Sequence, residues 1–189
     1  MTIAHRDAPW TYDDLLVLPD DGRRYEIIEG TLYEMTGPNG AHILTASNLI
    51  MLLLPLVQRA GGRLVTAVAD VFFSGADPVE PDIAVLLPGG AVIAPRGIEG
   101  APDLIVEVMS PGNRAHDLLT KRGLYERGGV REYWLVDPTA RTVEILTLED
   151  GRYRSLGVAA DDAPVASPLL AGEPFAAGAA FAGLDELPA

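Results

Sequence analysis

The stretch PDLIVEVMSP spans residues 102–111, and its apolar run encloses a glutamate, Glu107. A continuous apolar run of this length is typical of a strand that is covered on both faces of a sheet. A buried, unpaired carboxylate is costly there, so the fold must supply a compensating group. A second such run, DIAVLL at residues 82–87, begins with Asp82. If the two strands are neighbours, the two carboxylates can converge, and close carboxylates repel unless a cation is present.

A divalent cation would compensate both the burial of Glu107 and its repulsion with Asp82. Two alternatives stay open from these residues alone, namely an arginine partner for Glu107 or a strand whose glutamate face is solvated. The chain contains no cysteine, so a metal site must use carboxylates, histidines or backbone oxygens. Oxygen donors favour magnesium, manganese or calcium.

The helix predicted at residues 114–127 carries Lys121, the only lysine beside 13 arginines. At 100° per residue, Lys121 falls between Leu124 and Tyr125, on the side that leans toward the core. A chain that otherwise uses arginine indicates a need for a compact ammonium group at this position. The alternative is a surface pair with Asp117, four residues earlier, which would contribute little to stability.

Composition predicts a folded protein of one domain over residues 1–189, with a core at about 11–148. Residues 155–189 form an extension rich in alanine, glycine and proline. The formal charge is −13, which is unfavourable for non-specific binding to phosphates. All 14 basic residues lie within residues 1–154, together with 22 acidic ones, so a local basic face is compatible with the sequence.

The first ten residues do not resemble a signal peptide, because they contain no apolar segment. The most apolar run, ILTASNLIMLLLPLV at residues 43–57, is shorter than a membrane span requires and predicts a buried core helix. We therefore expect a cytoplasmic protein with no membrane association.

Turn residues divide the chain into a recognisable order of elements. Thr11 and Asp14 resemble a capping box that opens a short helix, and Glu29-Gly30 predicts the turn of a β-hairpin. The remaining predicted elements are a helix at 41–60, strands at 63–74, 82–87 and 103–110, a helix at 114–127, two strands in EYWLVDP and RTVEILTL, and one or two strands near 165–181 followed by a loose end.

Three segments carry a resemblance to a known family: YEIIEG, VEPDIAV and the long block from Pro102 to Pro138. They resemble a family of small bacterial proteins described as putative restriction endonucleases, within the PD-(D/E)XK nuclease superfamily. The similarity runs from about Thr11 to Leu148. It implies an α/β (α+β) fold with a restriction-endonuclease-like core, in which helices flank a central mixed β-sheet and an N-terminal β-hairpin is added.

The resemblance also implies roles at the site. Asp82 and Glu107 would bind Mg²⁺ or Mn²⁺ together with the carbonyl of Val108. The lysine of the motif is replaced by Met109, which can neither bind phosphate nor activate water. Either Lys121 supplies the ammonium group from the following helix, or the site is inactive.

Two further candidates have a weaker basis. Glu26, in YEIIEG, matches the family and is a candidate metal ligand or base; the alternative is an exposed strand carboxylate. His42 opens the long helix and could orient water or contact phosphate; the alternative is an ordinary polar residue at a helix terminus. Where the family tends to have an acid, this chain has Thr31.

The sequence therefore predicts a Mg²⁺- or Mn²⁺-dependent endonuclease that hydrolyses nucleic acid, with DNA favoured over RNA. A basic strip of arginines would contact the substrate, and the resemblance implies a homodimer. The proposed strip consists of Arg114, Arg122, Arg127 and Arg131. Two alternatives remain: a nuclease fold that has lost its chemistry and serves as a binding or assembly module, and a hydrolase of small phosphodiesters.

Overall fold

The computed structural model describes residues 3–4, 8–35, 37–66, 69–73, 78–110 and 120–188. The helices are α1 (Tyr12–Leu16), α2 (Gly40–Arg59) and α3 (Arg122–Gly128), followed by two short 3₁₀ helices (Ala177–Phe181 and Leu184–Glu186). The strands are β1 (Ile3–Ala4), β2 (Arg24–Ile28), β3 (Thr31–Met35), β4 (Arg63–Thr66), β5 (Val71–Phe72), β6 (Ile83–Leu86), β7 (Val92–Ala94), β8 (Gly97–Glu99), β9 (Leu104–Val108), β10 (Glu132–Asp137), β11 (Thr142–Glu149), β12 (Arg152–Ala160), β13 (Pro164–Val165) and β14 (Phe175–Ala176).

A six-stranded sheet organises the chain, in the order β12-β11-β10-β9-β6-β4. Strands β9 and β10 are parallel, and every other neighbouring pair in this sheet is antiparallel. Every residue of β6, β9 and β10 is buried, as the continuous apolar runs predict for central strands. The predicted fold, a central mixed sheet flanked by helices with an N-terminal hairpin, is confirmed.

Side chains alternate between the two faces of the sheet, and each face has its own cover. Leu49 and Leu53 of α2 pack on one face with Val106 and Trp134. On the other face, Leu124 and Tyr125 of α3 belong to a cluster that contains side chains of β6, β9 and β10. Glu107 follows Ile105 by two residues and therefore points to the α3 face.

Helix α2 lies close to the predicted bounds and begins with a cap, since the Asn39 side chain accepts a hydrogen bond from the His42 amide at 2.9 Å. Its length corrects one expectation. With 20 residues and a mean hydropathy of 1.7, it is long and apolar enough to cross a membrane, the one such helix in the described part of the chain. Its contacts are those of a core helix, because Leu49, Leu53 and Val57 are fully buried against the sheet.

The N-terminal hairpin also matches its prediction. Thr11 and Asp14 form the expected capping box at the start of α1. Glu29 and Gly30 connect β2 to β3 with φ values of 53° and 72°, as a tight hairpin turn requires. A Cβ at position 30 would lie 2.6 Å from the Cβ of Pro9, so glycine is also required by packing.

Some of the strand predictions were wrong. The strand expected at residues 63–74 is two strands in different sheets, β4 and β5. The segment after Pro88, for which no strand was predicted, contains the hairpin of β7 and β8. The predicted helix at 114–127 falls partly outside the described residues, and α3 begins at Arg122.

The C-terminal extension is packed rather than loose. Strand β12 runs nine residues beside β11, into the segment expected to be weakly structured. Beyond it, Val165 and Phe181 join the α2 side of the core. The carboxylate of Glu132 fixes this segment by accepting hydrogen bonds from the Ser167 hydroxyl at 2.9 Å and the Leu169 amide at 3.3 Å.

Candidate functional site

The two predicted metal ligands lie on or next to neighbouring central strands: Glu107 is in β9 and Asp82 directly precedes β6. In the antiparallel pair of β6 and β9, Ile83 is opposite Val106, so the next residues in register are Asp82 and Glu107. Residues that are directly opposite each other project from the same face of a sheet. The convergence inferred from the sequence therefore has a geometric basis, because Asp82 lies just before the first residue of β6.

Asp82 is held by backbone and side-chain donors. Its Oδ2 accepts a hydrogen bond from the Val108 amide at 2.7 Å, and its Oδ1 lies 3.1 Å from Nε2 of His42. The side chain is 22 % exposed, which leaves it accessible from solvent. The resemblance implied a role for the Val108 carbonyl, whereas the contact seen at that residue is through its N–H.

Glu107 is compensated from α3 and the turn that precedes it. Its Oε1 lies 3.2 Å from Nζ of Lys121 and accepts a hydrogen bond of 2.6 Å from the Tyr125 hydroxyl. Burial and the nearby charge of Glu107 raise the pKa of Tyr125 well above its usual value, so the hydroxyl stays protonated and donates. The compensation needed by a buried carboxylate thus includes an ammonium group and a phenol.

Lys121 is the centre of this arrangement. Besides Glu107, its Nζ lies 3.0 Å from Oε1 of Glu26 and donates a hydrogen bond of 3.3 Å to the Glu80 carbonyl. Its side chain is only 2 % exposed. The inward direction predicted from the helical angle is confirmed, and Asp117, the alternative partner, lies outside the described residues.

Glu26 is a buried member of the same group. Its residue is 2 % exposed, so the alternative of an exposed strand carboxylate was wrong. Its Oε1 also accepts a hydrogen bond from the Glu80 amide at 2.9 Å. Strand β2 of the hairpin thereby contributes a carboxylate to the ammonium that also contacts Glu107 on β9.

Sequence reasoning missed four residues around these carboxylates. Tyr125 was expected to be a packing residue, and its ring does pack against Phe73 and Tyr133 while its hydroxyl contacts Glu107. The others are Glu80, Arg24 and Asp70: Arg24 forms an ion pair with Glu80. Burial, with the charges of Glu80 and Glu26, raises the pKa of Asp70 to about 6.

Some of these residues had a usable signal in the sequence. Tyr125 lies four residues after Lys121, which places both on one helical face. Arg24 lies two residues before Glu26 on a strand, so the two share a face. The raised pKa of Asp70 could not be predicted from a local sequence pattern, because it depends on burial and on charged residues elsewhere in the chain.

Two members of the predicted basic strip form ion pairs. Arg127 pairs with Glu29, and Arg131 lies 3.1 Å from Asp103. Asp103 precedes the first residue of β9, whereas Glu107 is near its end, so Arg131 is at the opposite end of the strand from the site. Placing Arg131 beside the site was therefore wrong, and Arg114 lies outside the described residues.

The donors near Lys121 and Asp82 suit a hard cation chemically, because they are carboxylate oxygens. In the described ranges, no group of three or more histidine, aspartate or glutamate side chains is arranged as a finished metal site. The residues that could hold an ion are Asp82 and Glu107, with Glu26 adjacent through Lys121. Lys121 occupies the place of the counter-cation between Glu26 and Glu107.

Comparison with known proteins agrees with the fold. The family Uma2, described as "Putative restriction endonuclease", matches residues 12–176. A crystal structure described as a putative nuclease belonging to DUF820, from Anabaena variabilis, has a similar fold with a TM-score of 0.76. The two chains are 24 % identical, and the similarity covers 93 % of this chain and 99 % of the other. No curated protein matches the sequence.

Proposed function

This chain belongs to the Uma2 family of putative restriction endonucleases, and we propose that it is a Mg²⁺- or Mn²⁺-dependent endonuclease. Its substrate would be nucleic acid, with DNA favoured over RNA. One observation carries the proposal: Asp82, just before β6, is next in register to Glu107 of the neighbouring strand β9, and Lys121 contacts Glu107. This arrangement combines the residue types that a metal-dependent phosphodiesterase needs.

Asp82 and Glu107 would hold the ion, with Glu26 as a further ligand. A bound divalent ion would lower the pKa of a water molecule and polarise the scissile phosphate. His42 keeps Asp82 in a fixed orientation through the 3.1 Å contact with Oδ1. The cap formed by Asn39 fixes the helix start from which His42 extends. The protein's own contribution is thus to set the direction of the carboxylates before an ion arrives.

Lys121 would supply the positive charge that the motif position Met109 lacks. Its contacts with Glu26 and Glu107 offset the cost of burying two carboxylates and hold them close together. Ionised carboxylates are the form that binds a cation. The paired arginines and the charge of −13 offer substrate phosphates little attraction, so a bound ion would have to supply much of it.

A binding or assembly module without chemistry is the second candidate. The observation in its favour is that the Lys121 ammonium already contacts three protein oxygens, so the buried glutamates are compensated without a metal. A hydrolase of small phosphodiesters would share the metal site but would cleave model diesters and leave polynucleotides intact.

Isothermal titration calorimetry with MnCl₂ and MgCl₂ tests the proposal independently of the substrate. The wild type should bind, and Asp82→Asn and Glu107→Gln should each weaken binding by at least tenfold. Glu99→Gln is the matched control, because Glu99 is an exposed carboxylate that pairs with Arg96 away from these residues. A wild type that binds no metal at millimolar concentration would favour the module without chemistry.

We also propose a homodimer. Its support is the outer face of α2, where Ile43 and Met51 are 53 % and 73 % exposed. Contiguous exposed apolar patches mark interaction sites, and these two residues lie about two helical turns apart on one side of α2. Light scattering on Met51→Glu should show a monomer where the wild type shows a dimer; equal masses would remove this assignment.

A further inference from the structure

Within the proposed nuclease, the cation that touches the substrate remains to be assigned. Lys121 is poorly placed for that task, since it is 2 % exposed and its ammonium contacts Glu26, Glu107 and the Glu80 carbonyl. A phosphate could reach this nitrogen only by displacing groups that keep two buried carboxylates compensated. The substrate therefore needs a second cation that is accessible at the same carboxylates.

Arg24 meets this requirement. It lies on β2 two residues before Glu26, and alternate residues of a strand share a face. Its guanidinium pairs with the carboxylate of Glu80. The backbone amide of Glu80 donates a hydrogen bond to Glu26, and Glu80 lies two residues before Asp82. The side chain of Arg24 is 46 % exposed while it pairs with Glu80, so a phosphate in solution can approach it.

The charges around Arg24 agree with this position. Burial lowers the pKa of the guanidinium, but Glu80, Glu26 and Asp82 raise it by more, so Arg24 lies within electrostatic reach of two proposed metal ligands. The other described arginines that were considered for the substrate lie elsewhere. Arg127 pairs with Glu29 at the hairpin turn, and the charge of Arg122 acts on Glu126 and Tyr153 beside β12.

We propose that Arg24 is the substrate-contacting cation of the proposed nuclease and that it binds a backbone phosphate of the nucleic acid. On binding, the guanidinium would exchange the Glu80 carboxylate for phosphate oxygens. Arginine suits this role because its planar group can donate two parallel hydrogen bonds to a phosphate. The exchange is feasible because a partly exposed ion pair contributes little to stability.

The inference rests on the proposed function, so its test uses nucleic-acid binding and metal binding separately. Fluorescence anisotropy of a labelled DNA duplex and of a single strand, in EDTA and in MnCl₂, would be measured at several salt concentrations. Arg24→Ala should weaken binding about tenfold and reduce the slope of log K against log salt by about one, as expected for one lost phosphate contact. Arg24→Lys should keep the slope and recover only part of the affinity.

Arg23→Ala is the matched control. Arg23 is the preceding residue, has a similarly exposed side chain at 55 % and pairs with Asp21 and Glu34. This variant should bind DNA like the wild type. Calorimetry with MnCl₂ should show that Arg24→Ala still binds the ion, which separates loss of a phosphate contact from collapse of the site.

Three results would overturn the assignment in different ways. If the wild type binds nucleic acid and Arg24→Ala shows the same affinity and salt slope, Arg24 is not the contact, and the proposed nuclease stands. If the wild type binds neither nucleic acid nor metal, the proposed function itself fails. If Arg23→Ala weakens DNA binding as much as Arg24→Ala does, the loss reflects the change in net charge, and the role of Arg24 as a specific phosphate contact is refuted.

Discussion

Replacing Tyr125 by phenylalanine isolates one hydrogen bond at the site. The change removes the hydroxyl that donates to Glu107 at 2.6 Å and retains the ring, which packs against Phe73 and Tyr133 with centroid separations of 5.9 Å and 5.2 Å. Hydrogen bonds to charged groups contribute about 1.5–3 kcal/mol. Since the acceptor is a buried carboxylate and the apolar contacts are retained, we expect the free energy of unfolding to fall by about 2 kcal/mol.

Tyr153→Phe is a matched control for this change in stability. Tyr153 is also a buried tyrosine, but its hydroxyl donates to a neutral acceptor, the carbonyl of Val130, at 2.9 Å. A bond between neutral groups contributes about 0.5–1.5 kcal/mol, so Tyr153→Phe should cost roughly half as much. Both variants remove one hydroxyl from a buried ring, and they differ mainly in the charge of the acceptor.

Urea denaturation followed by tryptophan fluorescence measures both variants under the same conditions, and calorimetry with MnCl₂ adds a second measurement. Tyr125→Phe should also weaken metal binding, because Glu107 loses a donor that fixes its orientation, whereas Tyr153→Phe should not. The reasoning is refuted if Tyr125→Phe costs no more stability than Tyr153→Phe and leaves metal binding unchanged.

Three further substitutions test other parts of the structure. Asp70 has a pKa of about 6 in the folded chain, compared with an ordinary value of 3.8, so the folded state binds more protons than the unfolded state between these values. The free energy of unfolding should therefore fall as pH rises from about 4 to 6. Asp70→Asn should flatten that part of a plot of the urea midpoint against pH, and an unchanged slope would contradict the raised pKa of Asp70. Glu132→Ala removes the acceptor of three hydrogen bonds and should cost about 3 kcal/mol, with faster cleavage beyond Val165 by a non-specific protease as the measurement. Gly128→Ala places a Cβ 2.5 Å from the Phe73 ring and should cost about 1–3 kcal/mol by overpacking; a wild-type melting temperature would show that the ring can move aside.

The sequence predicted the fold best where a hydrophobic pattern is bounded by turn residues. The apolar runs of β6 and β9 end at Pro-Gly sequences, so both their presence and their burial could be predicted. One or two strands near 165–181 were predicted, and β13 and β14 lie there. The packing of the C-terminal extension could not be predicted, because its core residues are small and irregularly spaced. Ala177 and Ala180 are fully buried in the α2 cluster, yet alanine carries almost no periodic signal.

The candidate site was predictable in its residue types but less so in its contacts. Asp82 and Glu107 could be singled out because acids are unusual in apolar strands, whereas the register that sets them opposite each other depends on how the strands pair. The pair formed by Arg24 and Glu80 joins residues 56 positions apart and gives no local pattern. Tyr125 shows a different limit, because an aromatic residue at core spacing can also use its hydroxyl.

The ammonium that contacts Glu107 comes from a residue 14 positions later in the chain, at the start of α3 rather than on β9 itself. Glu107 lies on the face of the sheet that α3 covers, so docking of this helix removes water from the carboxylate and supplies its cation in the same step. Without the ammonium, the docked helix would bury the carboxylate uncompensated, and docking would be weakened. Sheet and helix should acquire protection from hydrogen exchange in a single step, and Lys121→Met should separate that step into two.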